Sequence, residues 1–363
     1  MSDLQISLLA IGSLVVVAVY LYNWVQERGF RQRLRQAFGD APDDVLLKSG
    51  IESILADGRL EPQLDPVPVP GDRSDDRMFA PGAAARDRPP APAFDTVLDY
   101  VAAIDSSAPI AEAAVDDLMS RIAACGKPVH ARGYDAESGH WVELSRGAGD
   151  RYSGLRLALQ LVNRSGPVNA AQLSLFCDAV RSCADRVPAL AVCPDLQAAL
   201  ASARELDSFC SNVDVAIGFN IIAREGDTFA GMRIRAQAES AGFKLESDGI
   251  FHFFDEHRRT TFTLDNHEPA PFLPEQVRTL STHGITVLLD VPRVADGPKV
   301  LDRMHEIARG LATTLGGRLV DDNRAVLNET SMARIKEQLR SIHAAMEARG
   351  IPAGSARALR LFS

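Results

Sequence analysis

His252, Asp255, Glu256 and His257 lie close together in the chain. Imidazole nitrogens and carboxylates in such a cluster are the donor types of a divalent metal site. Asp255, Glu256 and His257 fall, however, in the polar stretch AspGluHisArgArg between two apolar segments, which is the composition of a solvated hairpin tip, and His252 belongs to the segment before it. Asp321 and Asp322, followed by Asn323, offer paired carboxylates for acid–base work. They also suit a polar loop after a strand. His130 and His140 bracket a second expected hairpin and carry no ligand spacing. Neither GxGxxG nor GxxxxGK[ST] follows a strand, and HExxH, CxxC and GxSxG do not occur. The five cysteines (Cys125, Cys177, Cys183, Cys193 and Cys210) are odd in number and cluster with no histidine, as expected of buried reduced thiols. The expectation is a protein that is not an enzyme and holds neither cofactor nor metal.

The elements that carry these residues begin after a long N-terminal preamble. Residues 6–25 form an uncharged run of 20 residues. As a helix rising about 1.5 Å per residue, it covers roughly 30 Å, the thickness of a bilayer core. Only Asp3 is charged before it, whereas Arg28, Arg31, Arg33 and Arg35 follow. This asymmetry places residues 1–5 outside and the rest of the chain on the cytoplasmic side. Residues 6–35 are thereby expected to meet inner-membrane lipid, with residues 26–61 as a basic juxtamembrane segment. Residues 62–94 read as a flexible linker, because eight of the 20 prolines lie in 62–93. The net charge of −9 over 363 residues argues against nucleic acid as a partner.

Regular patterning begins at residue 95. Residues 95–210 and 213–347 both read as strand, helix, hairpin, strand, helix, strand, helix, and 348–363 as a C-terminal tail. The expected fold class is α+β, with an N-terminal transmembrane helix, a Pro-rich linker and two tandem split-βαβ modules. Each module has helices on one face of an antiparallel-rich sheet. In the second, Val300, Met304, Ile307, Leu311 and Leu315 recur at helical spacing before Gly316. Met332, Ile335, Leu339, Ile342 and Met346 do so again, with Thr330 as the expected N-cap.

Alternation sorts the strands of the second module into two faces. Ile285, Val287, Leu289, Phe251, Phe253, Phe262 and Leu264 point towards the helices. The outward set contains Ala216, Gly218, Asn220 and Ile222, then Ile250, His252 and Phe254, then Thr261, Thr263, Asp265 and His267, and finally Thr286, Leu288 and Asp290. This mixed face suits a peptide with two or three apolar anchors, or packing against the first module.

Residues 213–345 resemble the ZipA family of bacterial division proteins. The resemblance rests on Asn220, Ala241–Gly242–Phe243, Ile250, His252, PheThrLeuAspAsn at 262–266, GlyIleThrValLeuLeuAspValPro at 284–292 and GlyGlyArgLeuValAspAspAsnArg at 316–324. It implies a non-enzymatic tether at the inner membrane that collects at midcell during division. Its partner would be the C-terminal peptide of FtsZ. By position, the implied peptide-binding face involves Ala216, Gly218, Asp248, Ile250, Asp265, His267 and Leu288. Asp248, Asp265 and His267 stand where better-known members place apolar residues, so the expected groove is more polar. The module at 95–210 is additional to the usual single-domain form. A membrane-anchored regulatory module that binds a small ligand or another protein between two α+β domains is the alternative reading.

Overall fold

The computed structural model describes residues 89–363 apart from Pro92, Ala148 and Asp150. The expected membrane span 6–25, the basic segment 26–61 and most of the linker 62–94 lie outside the described residues. Among the described residues, no helix is long and apolar enough to cross a membrane. These residues divide into two compact units, one comprising 89–212 with Leu359–Ser363 and the other Val213–Ala358.

In the first unit, β1 (Asp99–Ile110) leads through α1 (Glu112–Ala123) to the hairpin of β2 (Val129–Asp135) and β3 (His140–Glu143). There follow β4 (Tyr152–Gln160), two short strands β5 (Val162–Asn163) and β6 (Gly166–Pro167), then α2 (Ala170–Asp185), β7 (Ala189–Val192) and α3 (Leu196–Val213). The main sheet is antiparallel throughout, in the order β3-β2-β4-β1-β7. Tyr100, Ala102 and Ile104 of β1 face Leu159, Leu157 and Leu155 of β4 across the buried side. Leu173, Phe176 and Val180 of α2 are buried as well. Gly133 is required in β2, because a Cβ there would lie 2.4 Å from the ring of Tyr152. The last residues of the chain complete this unit. Arg360 forks onto the buried carboxylate of Asp99, its carbonyl accepts from Gln160 Nε2 at 2.9 Å, and Leu361 and Phe362 are buried.

The second unit runs β8 (Ala216–Ile222), β9 (Phe229–Ala230), α4 (Gly231–Ser240), β10 (Lys244–Leu245), β11 (Phe251–Phe254), β12 (Thr260–Asn266), β13 (Ser281–Thr282) and β14 (Gly284–Asp290). A single 3-10 turn, Val291–Arg293, leads to α5 (Gly297–Leu315), β15 (Arg318–Val320) and α6 (Glu329–Ala348). A last short helix, α7 (Ala356–Leu361), crosses from this unit to the first. The six-stranded antiparallel sheet has the order β10-β11-β12-β14-β8-β15. Its buried row is Phe251, Leu264, Val287 and Phe219, one residue from each of four adjacent strands. Burying each such side chain contributes about 1.5–3 kcal/mol. Phe253 stacks on Phe262 at 4.6 Å, and both rings meet Phe243 edge-on. The α5 stripe of Leu301, Met304, Ile307, Ala308, Leu311 and Leu315 closes this side. Gly316, at φ +78°, ends α5 and lets the Gly317 amide reach the Ala312 carbonyl at 2.9 Å.

Two readings of the sequence are refined. The N-cap of α6 is Asn328, which accepts from the Ser331 amide at 2.9 Å while Ser331 Oγ reciprocates at the Asn328 amide. Thr330, the expected cap, lies inside the helix. The units share their element order and the arrangement of β4-β1-β7 and β14-β8-β15, but their hairpins are placed oppositely. The strand beside β4 is β2, the first of its hairpin, whereas the strand beside β14 is β12, the second of its own.

In the first unit, the buried carboxylate of Asp135 pairs with the partly exposed Arg151 and carries a pH signature. Asp135 is fully buried and accepts from Arg151, from Ser138 Oγ and from the amides of Glu137 and Ser138. The hydrogen bond from Arg151 holds its carboxyl well below the usual carboxylate range despite burial, which acts the other way. A depressed folded pKa stabilises fully above the unfolded value of about 3.9, and that stabilisation is lost as pH falls below it. Melting temperature followed from neutral pH down to about pH 2 should therefore show an acid limb that Asp135→Asn flattens. An unchanged limb in the variant would assign it to other groups.

Candidate functional site

The sheet of the second unit has one face closed by α5, which packs on β8, β14 and β15, with α4 packed on α5. Cross-strand register puts His252, Thr263, Leu288 and Gly218 in one row on the opposite face. Asp265, Thr286 and Asn220 form the next row. Ile250 precedes β11 and lies one position beyond the Phe251–Leu264 pair, on the same side as Asp265. Ile250, Asp265 and Leu288 are half-buried, and His267 and Asp248 are exposed. Gly218 forms a shallow floor: a Cβ there would stand 3.5 Å from Asp322 Oδ1 and 3.7 Å from Leu288 Cδ1. Ala216 shares this face through its pairing with Asp290 but is only 7% exposed.

The expected face residues are thus brought to one side of the sheet, with Asp248 at its margin. Asp248 sits in the turn before β11, where Oδ1 accepts from the Ile250 amide at 3.0 Å. Its Oδ2 lies 2.9 Å from His252 Nε2, and His252 Nδ1 lies 3.1 Å from Thr260 Oγ1. The His252 ring stacks on Phe254 with centroids 6.0 Å apart. Asp265 Oδ1 accepts from the Asn266 amide. These polar groups are therefore already engaged by their own chain, which lowers the cost of placing them beside apolar anchors.

A hydrogen-bonded chain crosses the face. Asn220 Nδ2 donates to Asp322 Oδ1 at 2.8 Å, which turns Asn220 Oδ1 to accept from Thr286 Oγ1 at 2.7 Å. Thr286 has spent its one proton, so His267 Nδ1, 3.3 Å from Thr286 Oγ1, must carry the proton it shares. Asn220 is 5% exposed, so this network is buried at its centre. At the same end, the side chain and amide of His283 hold the Glu268 carboxyl below its ordinary range. Strand alternation identified Asn220 and Thr286 as outward residues but not their link to Asp322. A polar Asn in an apolar strand and a carboxylate just past a short strand were the signals.

Asp255 and Asp321 have structural roles. Asp255 Oδ1 accepts from the amides of His257 and Arg259, and Oδ2 pairs with Arg259 Nε at 2.9 Å. Asp321 caps its turn through the amides of Asn323 and Ala325. Among the described residues, no group of three or more His, Cys, Asp or Glu side chains is placed to hold a metal ion. The five cysteines are free thiols, Cys193 half-buried and the others buried.

Replacing Asn220 by Ala leaves the half-buried Thr286 hydroxyl without its acceptor while exposed Asp322 turns to water, and the expected loss of stability is about 1 kcal/mol. Nitrogen NMR of the His267 ring should show the proton on Nδ1 in the neutral form. A neutral ring protonated only at Nε2 would break the chain as described.

Residues 215–338 match the family model described as ZipA, C-terminal FtsZ-binding domain. Among curated relatives, the cell division protein ZipA of Marinobacter nauticus is 28% identical over 125 residues, covering 33% of this chain and 37% of the relative. The ZipA of Shewanella loihica is 25% identical over 126 residues, 34% of this chain and 38% of the relative. For Ectopseudomonas mendocina the figures are 24% over 139 residues, 37% and 51%. The chain therefore spans about half or less of the length of the curated relatives it matches. Its second unit resembles the C-terminal FtsZ-binding domain of ZipA.

Proposed function

We propose that the second unit binds the C-terminal tail of FtsZ on its open sheet face. The full chain would then act as a non-enzymatic tether that anchors or stabilises the division ring at the cytoplasmic side of the inner membrane. The match of 215–338 to an FtsZ-binding domain carries this reading. The face supports it physically. Leu288 and Ile250 offer apolar contact beside the shallow floor at Gly218, and the polar neighbours are already hydrogen-bonded. In the proposed peptide-binding set, Gly218, Ile250 and Leu288 supply the surface and the largely buried Ala216 lies beneath it, while Asp248, Asp265 and His267 form its polar margin.

Asp248, Asp265 and Asp322 carry negative charge on this face, while Asp290 lies 3.9 Å from Arg293 Nε. A bound tail with a basic residue beside its apolar anchors is therefore favoured, and affinity should fall as salt rises. The tether part of the reading rests on the sequence of residues 6–35 and the Pro-rich spacer, with midcell as the expected location.

Fluorescence anisotropy of a labelled FtsZ C-terminal peptide titrated with the full chain tests this. Leu288→Asp and Ile250→Asp should each weaken binding by about tenfold or more, equivalent to about 1.4 kcal/mol. Both should leave the thermal melt near that of the parent. By contrast Leu289→Ala, at a fully buried neighbour, should cost about 2–5 kcal/mol of stability. Absence of binding by the parent chain at high micromolar concentration would end this reading. Collapse of the melt in Leu288→Asp would show the facing to be wrong.

A further inference from the structure

The outer face of the first unit's sheet carries a second feature that the ring-tethering reading leaves unused. Trp141 of β3 and Tyr134 of β2 are directly paired, with ring centroids 5.6 Å apart at 59°. The guanidinium of Arg156 on β4 lies 5.1 Å from the Trp141 ring, and Asp105 of β1 clamps it through two hydrogen bonds of 3.1 Å. Pairing of Tyr134 with Gly154, and of Gly154 with Asp105, places a side-chain-free position between the aromatic pair and the Asp105–Arg156 clamp. Across β1 on the same face, Leu190 and Val192 of β7 are 47% and 49% exposed. On this aromatic pair, the indole Nε1–H of Trp141 donates to the carbonyl of Pro89 at 3.2 Å.

We propose that this face is a docking site for a proline-rich segment in the polyproline II conformation, and that its occupant is the chain's own Pro89–Pro90. Such a segment makes no internal hydrogen bonds, so its carbonyls stay available to accept. Proline has no amide proton, so a receptor must supply the donor, and the indole is a donor only. Aromatic side chains with a placed N–H are the recurring solution for this ligand class.

The full chain carries two tryptophans, Trp24 and Trp141. In a Trp24→Phe background, acrylamide quenching therefore reports on Trp141 alone. Pro89→Ser with Pro90→Ser should expose the indole and raise its quenching constant by about twofold, since a linked segment acts at roughly millimolar effective concentration. The peptide ArgAspArgProProAlaProAla, residues 86–93, added in trans at about that concentration, should restore protection in this variant and change little in the parent. Unchanged quenching in the double variant would overturn the proposal. Equal protection of parent and variant by the peptide would also overturn it, because the face would then be empty in cis. The melting temperature of the double variant should match the parent, since Pro89 and Pro90 lie outside every helix and strand.

Discussion

The second unit depends on one constraint: an antiparallel sheet sealed by helices on one side must spend alternate residues on the other. The row Phe251, Leu264, Val287 and Phe219 binds the sheet to its helices, and every residue between them is committed to the open face. Register therefore fixes Leu288 beside Gly218 as firmly as it fixes Val287 beside Phe219. A slip of one residue would exchange the two faces, burying Thr286 and Asp290 and exposing the core.

The open face is more than the leftover side of a core. Its polar groups are linked to one another in a line from His267 through Thr286 and Asn220 to Asp322. A network of this kind holds its side chains in one arrangement, because Thr286 Oγ1 is fixed between Asn220 Oδ1 and His267 Nδ1 and Asn220 between Thr286 and Asp322. The face is thereby presented in a defined shape, with Leu288 and Ile250 beside it as apolar contact points. Asp248, Asp265 and His267 lie at the margin of this same face.

Much of this arrangement is legible in the sequence, for physical reasons that differ by element. The α5 stripe and the alternation in β14 read directly, since burial dictates residue type at each position. The cap of α6 does not: Thr330 and Asn328 are both competent, and the reciprocal bond from Ser331 selects Asn328. Nor does the length of β1, where Ser106, Ser107 and Pro109 look like a loop yet the strand continues past an irregularity to pair Ile110 with Tyr152. Hairpin placement is equally hidden, because the two units have the same element order and differ only in which strand lies inside. The docking of Arg360 on Asp99, 261 residues apart, leaves no local pattern at all. For the candidate site, alternation finds the outward residues but not their long-range partner Asp322.

The central claim is that the face opposite α5 is where the FtsZ tail binds. Amide chemical-shift mapping of the labelled full chain during titration with the FtsZ C-terminal peptide addresses it most directly. The account predicts the largest shifts at Gly218, Ile250, Thr286 and Leu288. Shifts confined to α4 and α5, or to the first unit, would contradict it.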